Sequence, residues 1–366
     1  MLSGQPQDLV MTKSFHGTVI AWARQAGLFK IENSLADLDT NTDVYLDMTW
    51  RSWAQAEESV RLVLGLYVHD GEFATSFHHE PLLRYAHEMI PICCSEELFT
   101  ASSAAQWHTS IRLQRGSQLV PSSSIPSQLR DRERKKWASQ MCLYASLSGI
   151  VASIQEAKTS FVSHASVQHF RDVLLTWYKD KHKAVAQPKH SPISLMVLWH
   201  TAFMCLYANF DILERAIGRD GSLPSEEATS EVRAWVSSPE ARYGVLHAFL
   251  VLKQLETLPV DVEPAIHVPK ALFYSAIAIH CYTQLGRTAN SSIPSHDENN
   301  MPEFLIAGSA FLSQQSSSNL WPKSGSPSDK STLCSIIDLL RRTGHWGISQ
   351  RYACILENLV DDLTDS

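Results

Sequence analysis

The chain has 366 residues, 44% of them hydrophobic and 19% charged, so it can bury a large core and is no disordered tail. Its 31 basic and 38 acidic residues leave a net charge of −7, which argues against a protein that grips phosphate backbones across a broad face. Seven cysteines, at positions 93, 94, 142, 205, 281, 334 and 354, include no CxxC spacing; they read as reduced thiols rather than a disulfide framework or a zinc ligand set.

In chain order, the N-terminus MLSGQPQDLVMTK lacks the charged lead and apolar core of a secretory leader, and residues 1–10 are expected to be disordered. Asp37-x-Asp39-x-Asn41-x-Asp43 matches the first alternating positions of a helix-loop-helix calcium loop. Thr42 then stands where the turn requires glycine and Met48 where a bidentate glutamate is required, so the segment reads as an acidic loop. From Trp53 onward, Trp53, Val60, Val63, Leu64 and Tyr67 share one helical face. Leu62 and Leu66 add a second stripe, which predicts a helix buried nearly all round.

Histidines and carboxylates crowd His69-Asp70-Gly71-Glu72, His78-His79-Glu80 and His87-Glu88. Adjacent histidines point apart on a helix and no HExxH occurs, so capping and buried hydrogen bonding outweigh a metal site. Residues 114–129 are rich in Ser and Pro and are expected to be a mobile loop. The run Arg130 to Lys136 holds five basic and two acidic residues, a local charge of +3 that reads as a solvated helix start or a weak nuclear-import patch.

Residues 193–213 form an apolar run about as long as a bilayer-spanning helix. It contains His200, Asn209 and Asp211, follows the helix start Ser191-Pro192 and has no basic cluster on one flank. It reads as the buried central helix of an α-helical domain, spanning 193–217 and stopped by Gly218. Ser238-Pro239-Glu240 combines a cap, a first-position proline and a first-turn acid ahead of Val245, Phe249, Leu252 and Leu255. Pro269 opens a further helix that Gly286 is expected to end in the left-handed conformation. Residues 287–303 and 313–330 are expected as mobile loops, and a last helix is expected over 347–363. The pattern predicts an all-α fold: one irregular multi-helix domain over 11–366 with a buried central helix and long Ser/Pro-rich loop insertions.

Positive signs of catalysis are missing. The sequence has no phosphate-binding glycine loop, no GxGxxG and no GxSxG, and its one aspartate cluster sits in a predicted loop. No catalytic, cofactor-binding or metal-ligating set emerges from the residues, and the chain is not expected to be an enzyme.

The stretch 50–94, WRSWAQAEESVRLVLGLYVHDGEFATSFHHEPLLRYAHEMIPICC, resembles the signature core of the fungal-specific transcription factor domain, the regulatory region also found in xylanolytic activator-like regulators. Trp50 and Trp53 open the stretch; Glu57 or Glu58, Arg61, Asp70, Pro81 and Pro91 occupy the places of the family's acid, arginine, helix-ending aspartate and prolines. WARQAGLF at 22–29 resembles the preceding helix and its exit, and LWHTAFMCLYANFDILERAIGRDG at 198–221 looks like the same subgroup. Val60 replaces a usual arginine, Leu64 a common tryptophan, and His79-Glu80 the Gly-Arg before Pro81. These departures resemble the branch paired with two-cysteine, two-histidine zinc fingers. No finger of that or the six-cysteine type occurs in the 366 residues.

The resemblance implies a nuclear regulatory domain that controls RNA polymerase II transcription through intramolecular contacts, co-regulators or a small-molecule effector. Zinc and DNA contact are expected only in a finger segment outside this chain or in a partner, with no membrane association. Two alternatives stay open: an α-helical enzyme with a cavity between helices 193–217 and 240–286, dependent on His69, His200 or Glu80, and a helical adaptor with no transcriptional role. Within the signature, Glu57 and Arg61 lie one helical turn apart and can pair, a buried Arg61 needs further acceptors with Asp70 as one option, and Pro81 and Pro91 shape a return across the core.

Overall fold

Every regular element among the described residues is helical, as the 3.6-residue periodicity requires. The computed structural model describes residues 3–30, 45–84, 91–116, 139–159, 164–185, 194–219, 226–256, 263–286, 328–344 and 346–365. The acidic loop at 37–43, His87-Glu88, the 130–136 run, loop 287–303, Ser191-Pro192 and most of segments 114–129 and 313–330 lie outside them. One domain over 11–366 is the expectation from the sequence; the chain groups into two compact units, Lys13–Ser153 and Met1–Thr12 with Ile154–Ser366.

The N-terminus departs from the expected disorder: α1 (Pro6–Gln25) starts inside the first ten residues. Pro6 has the fixed φ and missing N–H that suit a first helical position, and Gly4 takes a φ of 72° that a side chain resists. A Cβ on Gly4 would stand 2.8 Å from the Gly347 carbonyl oxygen, so that close approach also requires glycine.

In the unit Lys13–Ser153, α1 ends in Gly27 at φ 73° and a 3-10 turn (Leu28–Lys30), the helix and exit that 22–29 suggested. The long α2 (Leu46–Phe77) follows, then the single turn α3 (Glu96–Phe99), α4 (Ala104–Gly116) and the start of α5 (Gln140–Thr159). Trp53 of α2 and Trp107 of α4 meet at 5.2 Å between ring centroids and anchor a cluster with Leu98, Ala101 and Ile111; Trp50 packs on its edge. Such a pair adds about 0.5–1.5 kcal/mol beyond its buried area. The expected all-round burial of α2 at Leu62 and Leu66 is corrected: Leu62 is 53% exposed and Leu66 half-buried. Full burial comes later, over Asp70 to Thr75, where Gly71 lets the Ser148 carbonyl of α5 approach.

The other unit is built on two helices with almost no exposed face. In α7 (Leu195–Tyr207) every residue from Val197 to Tyr207 is buried, and in α11 (Val268–Leu285) every residue from Val268 to Ile279. Around them pack α6 (His164–Val185), α8 (Phe210–Ala216), α9 (Glu226–Val236), α10 (Pro239–Glu256), α12 (Ser328–Arg342) and α13 (Gly347–Asp365). Ser238 caps α10 by accepting the Ala241 amide at 3.3 Å, as its sequence predicts. The 193–217 helix, in contrast, is broken: α7 and α8 meet at 78° through an extended Ala208. Asn209 causes the break by turning its side chain onto the Asp211 amide at 3.1 Å, a cap rather than a helix interior. The carbonyl freed at Ala208 takes a hydrogen bond from Lys158, whose burial lowers its pKa to about 8. Among the described residues no single helix is long and apolar enough to cross a membrane. Gly218 ends α8 at φ 88° as expected; Gly286 does not, since its φ of −74° merely continues the right-handed turn.

Candidate functional site

Glu57, Arg61 and Asp70 of α2 reach the chain that follows α2. Glu57 and Arg61 lie one turn apart on α2, and Arg61 Nε donates to Glu57 Oε1 at 3.1 Å. Both then hold the same residue: Glu57 Oε1 accepts the Cys94 amide at 2.9 Å, while the Arg61 guanidinium donates to the Cys94 carbonyl at 2.9 Å. Glu57 is 1% exposed, and a carboxylate that deep must be neutralised and hydrogen-bonded to be tolerated. Arg61 also lies 3.7 Å from Glu96 and stacks over Phe99 at 4.1 Å, so the fork is held on its face as well as its edge.

Nine residues beyond Arg61 on α2, Asp70 holds the chain just after the helix. Its Oδ2 accepts the Leu83 amide at 2.7 Å and its Oδ1 the Leu82 amide at 3.2 Å, immediately after the buried Pro81. The suggestion that Asp70 serves Arg61 is therefore corrected. Its side-chain partner is His16 of α1, at 2.7 Å from Oδ1. Arg24, inside the WARQAGLF stretch, donates to the Leu82 carbonyl at 3.0 Å, and Phe29 meets Tyr67 edge-on. His78 ends α2 at φ 53°, a left-handed turn by a non-glycine residue, and sends its amide to Ala74. Pro91, half-buried, opens the irregular run into Cys94. Two carboxylates and one guanidinium of α2 thus hold Leu82 and Leu83 at one point and Cys94 at another.

Sequence reasoning missed two groups. His16 shares the buried face of α1 with Ile20 and Ala23, a spacing visible in the sequence but without a cue to its partner. Cys93 and Cys142 are brought together with their sulfurs 3.1 Å apart, although 49 residues separate them.

His69 and Glu80 belong to the unit Lys13–Ser153 and His200 to the other. His69 lies against His16 and Phe73, burial followed by the His16 charge lowers its pKa, and Glu80 is exposed. His200 is fully buried between α7 and α10, its Nδ1 3.0 Å from Nδ1 of His247, and His247 stacks face to face on Phe203 at 4.5 Å. The region expected to hold a cavity is filled there by rings. Among the described residues no group of three or more His, Cys, Asp or Glu is placed to hold a metal ion.

Comparison with protein-family models, curated proteins and solved structures found no match to this chain.

Proposed function

We propose that this chain is a nuclear regulatory domain of a fungal transcription factor, acting on RNA polymerase II transcription through intramolecular contacts, co-regulators or a small-molecule effector. One observation carries the reading: Glu57, Arg61 and Asp70, residues of the resemblance, are those that bind Leu83 and Cys94, in the chain after α2, back to α2. A fastening made of hydrogen bonds and ion pairs, unlike a packed apolar contact, finds alternative partners in water or in another protein. A co-regulator that favours one arrangement of that segment by a few kcal/mol shifts its population many-fold. The proposal gives the domain no catalytic residue and leaves DNA contact to a finger segment outside this chain or to a partner.

The test is to fuse the chain to an unrelated DNA-binding module in a fungal cell carrying a matching reporter. Reporter output is expected to change several-fold relative to the module alone, and Arg61→Lys at equal protein abundance is expected to alter that change. A fusion that is nuclear and abundant yet leaves output at the level of the module alone would overturn the proposal.

A further inference from the structure

Next to the residue that Glu57 and Arg61 grip, the chain carries a second chemistry. Cys93 is fully buried, and its Sγ lies 3.1 Å from Sγ of the half-buried Cys142; both are free thiols. Only about 1 Å separates that spacing from a disulfide bond of ~2.05 Å. Cys142 sits in the first turn of α5, where Ser139 caps the helix by accepting the Cys142 amide at 3.2 Å. The Cys93 amide donates to Cys142 Sγ at 3.2 Å, and Ser139 Oγ lies 2.7 Å from Cys93 Sγ. A sulfur at a helix N-terminus that receives an amide and a thiol donor is favoured as the thiolate. The hydrogen bond from Cys93, with those of Ser139 and against the cost of burial, pulls Cys142 down to about 7; the same bond and burial push Cys93 up. The two sulfurs are therefore unequal, one poised to react and one held protonated against it.

We propose that Cys93 and Cys142 are a peroxide-oxidisable thiol pair, Cys142 being the reacting sulfur and Cys93 the one that closes the disulfide. The Cys142 thiolate attacks one oxygen of hydrogen peroxide; the O–O bond breaks, hydroxide leaves and takes up a proton as water, and Cys142 becomes a sulfenic acid. Cys93 Sγ then attacks Cys142 Sγ, the S–O bond breaks as the S–S bond forms, and the departing hydroxide takes the Cys93 proton. Two thiols lose two hydrogens, and one peroxide becomes two waters. The product ties the residue before Cys94 covalently to the first turn of α5. Oxidation thus adds a covalent tie beside the residue that Glu57 and Arg61 otherwise hold without one. This inference stands independently of the transcriptional reading, since it rests on the thiol geometry.

The test uses the reduced full chain freed of reductant, treated with hydrogen peroxide, alkylated and mapped as peptides without reduction. The expected product is one cross-linked pair joining the Cys93 and Cys142 peptides, lighter than the reduced pair by two hydrogens. The exposed Cys334 and Cys354 report in the same sample on general oxidation. At pH 7 a thiol with a pKa near 7 is half thiolate, against a few per cent for one near 8.5, so Cys142 should react with roughly ten-fold the thiolate fraction of an ordinary exposed thiol. In Cys93→Ser the sulfenic acid should persist on Cys142 and be trapped by a dimedone-type reagent. In Cys142→Ser, Cys93 should stay unmodified. Recovery of both Cys93 and Cys142 as alkylated thiols from the unsubstituted chain, in a sample where Cys334 or Cys354 has been oxidised, overturns the proposal, as does trapping of the sulfenic acid on Cys93 instead of Cys142.

Discussion

Asp70 accepts the Leu83 amide at 2.7 Å across a turn that contains the buried Pro81, and that bond sets how the chain leaves α2. Asp70→Ala strands the buried Leu83 amide, the Leu82 amide and the ring of His16 at once. The expected loss is roughly 3–5 kcal/mol of unfolding free energy, seen as a lower urea midpoint at unchanged slope. Asp70→Asn keeps one carbonyl acceptor and should recover part of it. A loss for Asp70→Ala below about 0.5 kcal/mol, the scale of an ordinary surface substitution, would mean that the turn is held by other contacts.

Arg61 presents a different case, because its fork reaches Glu57 and the Cys94 carbonyl while its face covers Phe99. Arg61→Ala leaves the buried Glu57 carboxylate without its cation and should cost roughly 3–5 kcal/mol. Arg61→Lys restores charge but not the planar fork, and should recover less than half of that loss. Full recovery by lysine in the same urea titration would reduce the role of Arg61 to charge alone.

How far the sequence foretold this arrangement differs between its parts. Period-3.6 patterning and the Ser238-Pro239 cap were readable because they depend on neighbours in the chain, and so was the Glu57–Arg61 pair at i, i+4. The hold of α2 on Leu82, Leu83 and Cys94 was readable only in outline: Pro81 and Pro91 signalled a return, but whether Asp70 would meet Arg61 or His16 depends on where α1 packs, a long-range fact. Burial around α2 was misplaced for the same reason, since an apolar Leu62 carries no mark of the face it is on. The break at Ala208-Asn209 left a weak local signal, an Asn two residues before an Asp, which the surrounding apolar run outweighed. Cys93 and Cys142 gave no signal at all, because proximity of residues 49 apart is a property of the fold.

His200 and His247 make the unit containing them sensitive to acid. Burial pushes His200 down to about 3, and burial, then the His200 charge, push His247 well below its ordinary value. Both stay neutral in the folded chain, whereas in the unfolded chain they take up protons below about pH 6.5. Stability from this pair is therefore complete above pH 6.5 and declines as pH falls, by up to about 1.4 kcal/mol per pH unit for each histidine. Urea midpoints at pH 7, 6 and 5 should fall progressively, and His200→Gln should make the decline shallower. Equal slopes in the two proteins would place the acid sensitivity elsewhere.

The chain by itself is expected not to read duplex DNA. Sequence readout needs a helix or ribbon seated in the major groove with Arg, Lys, Asn or Gln at base edges. Zinc-organised modules build that support from clustered Cys and His, and the seven cysteines here have none of those spacings. The net charge of −7 repels phosphates at long range, and the +3 run at 130–136 is too weak to reverse it. Contact through that run would neutralise only a few phosphates, so its affinity should collapse as salt rises toward physiological levels. A mobility-shift titration of the chain against random and promoter duplexes at ~150 mM salt measures this, with specific sites ordinarily bound at about 10⁻⁸–10⁻¹¹ M. Sequence-selective binding tighter than roughly 10⁻⁷ M would reveal a DNA-reading surface on these helices and contradict the assignment of DNA contact to another segment or subunit. Survival of such binding in a chelator would further show that zinc does not organise it. Binding that is weak, indifferent to sequence and lost with salt is the result expected of an acidic helical domain.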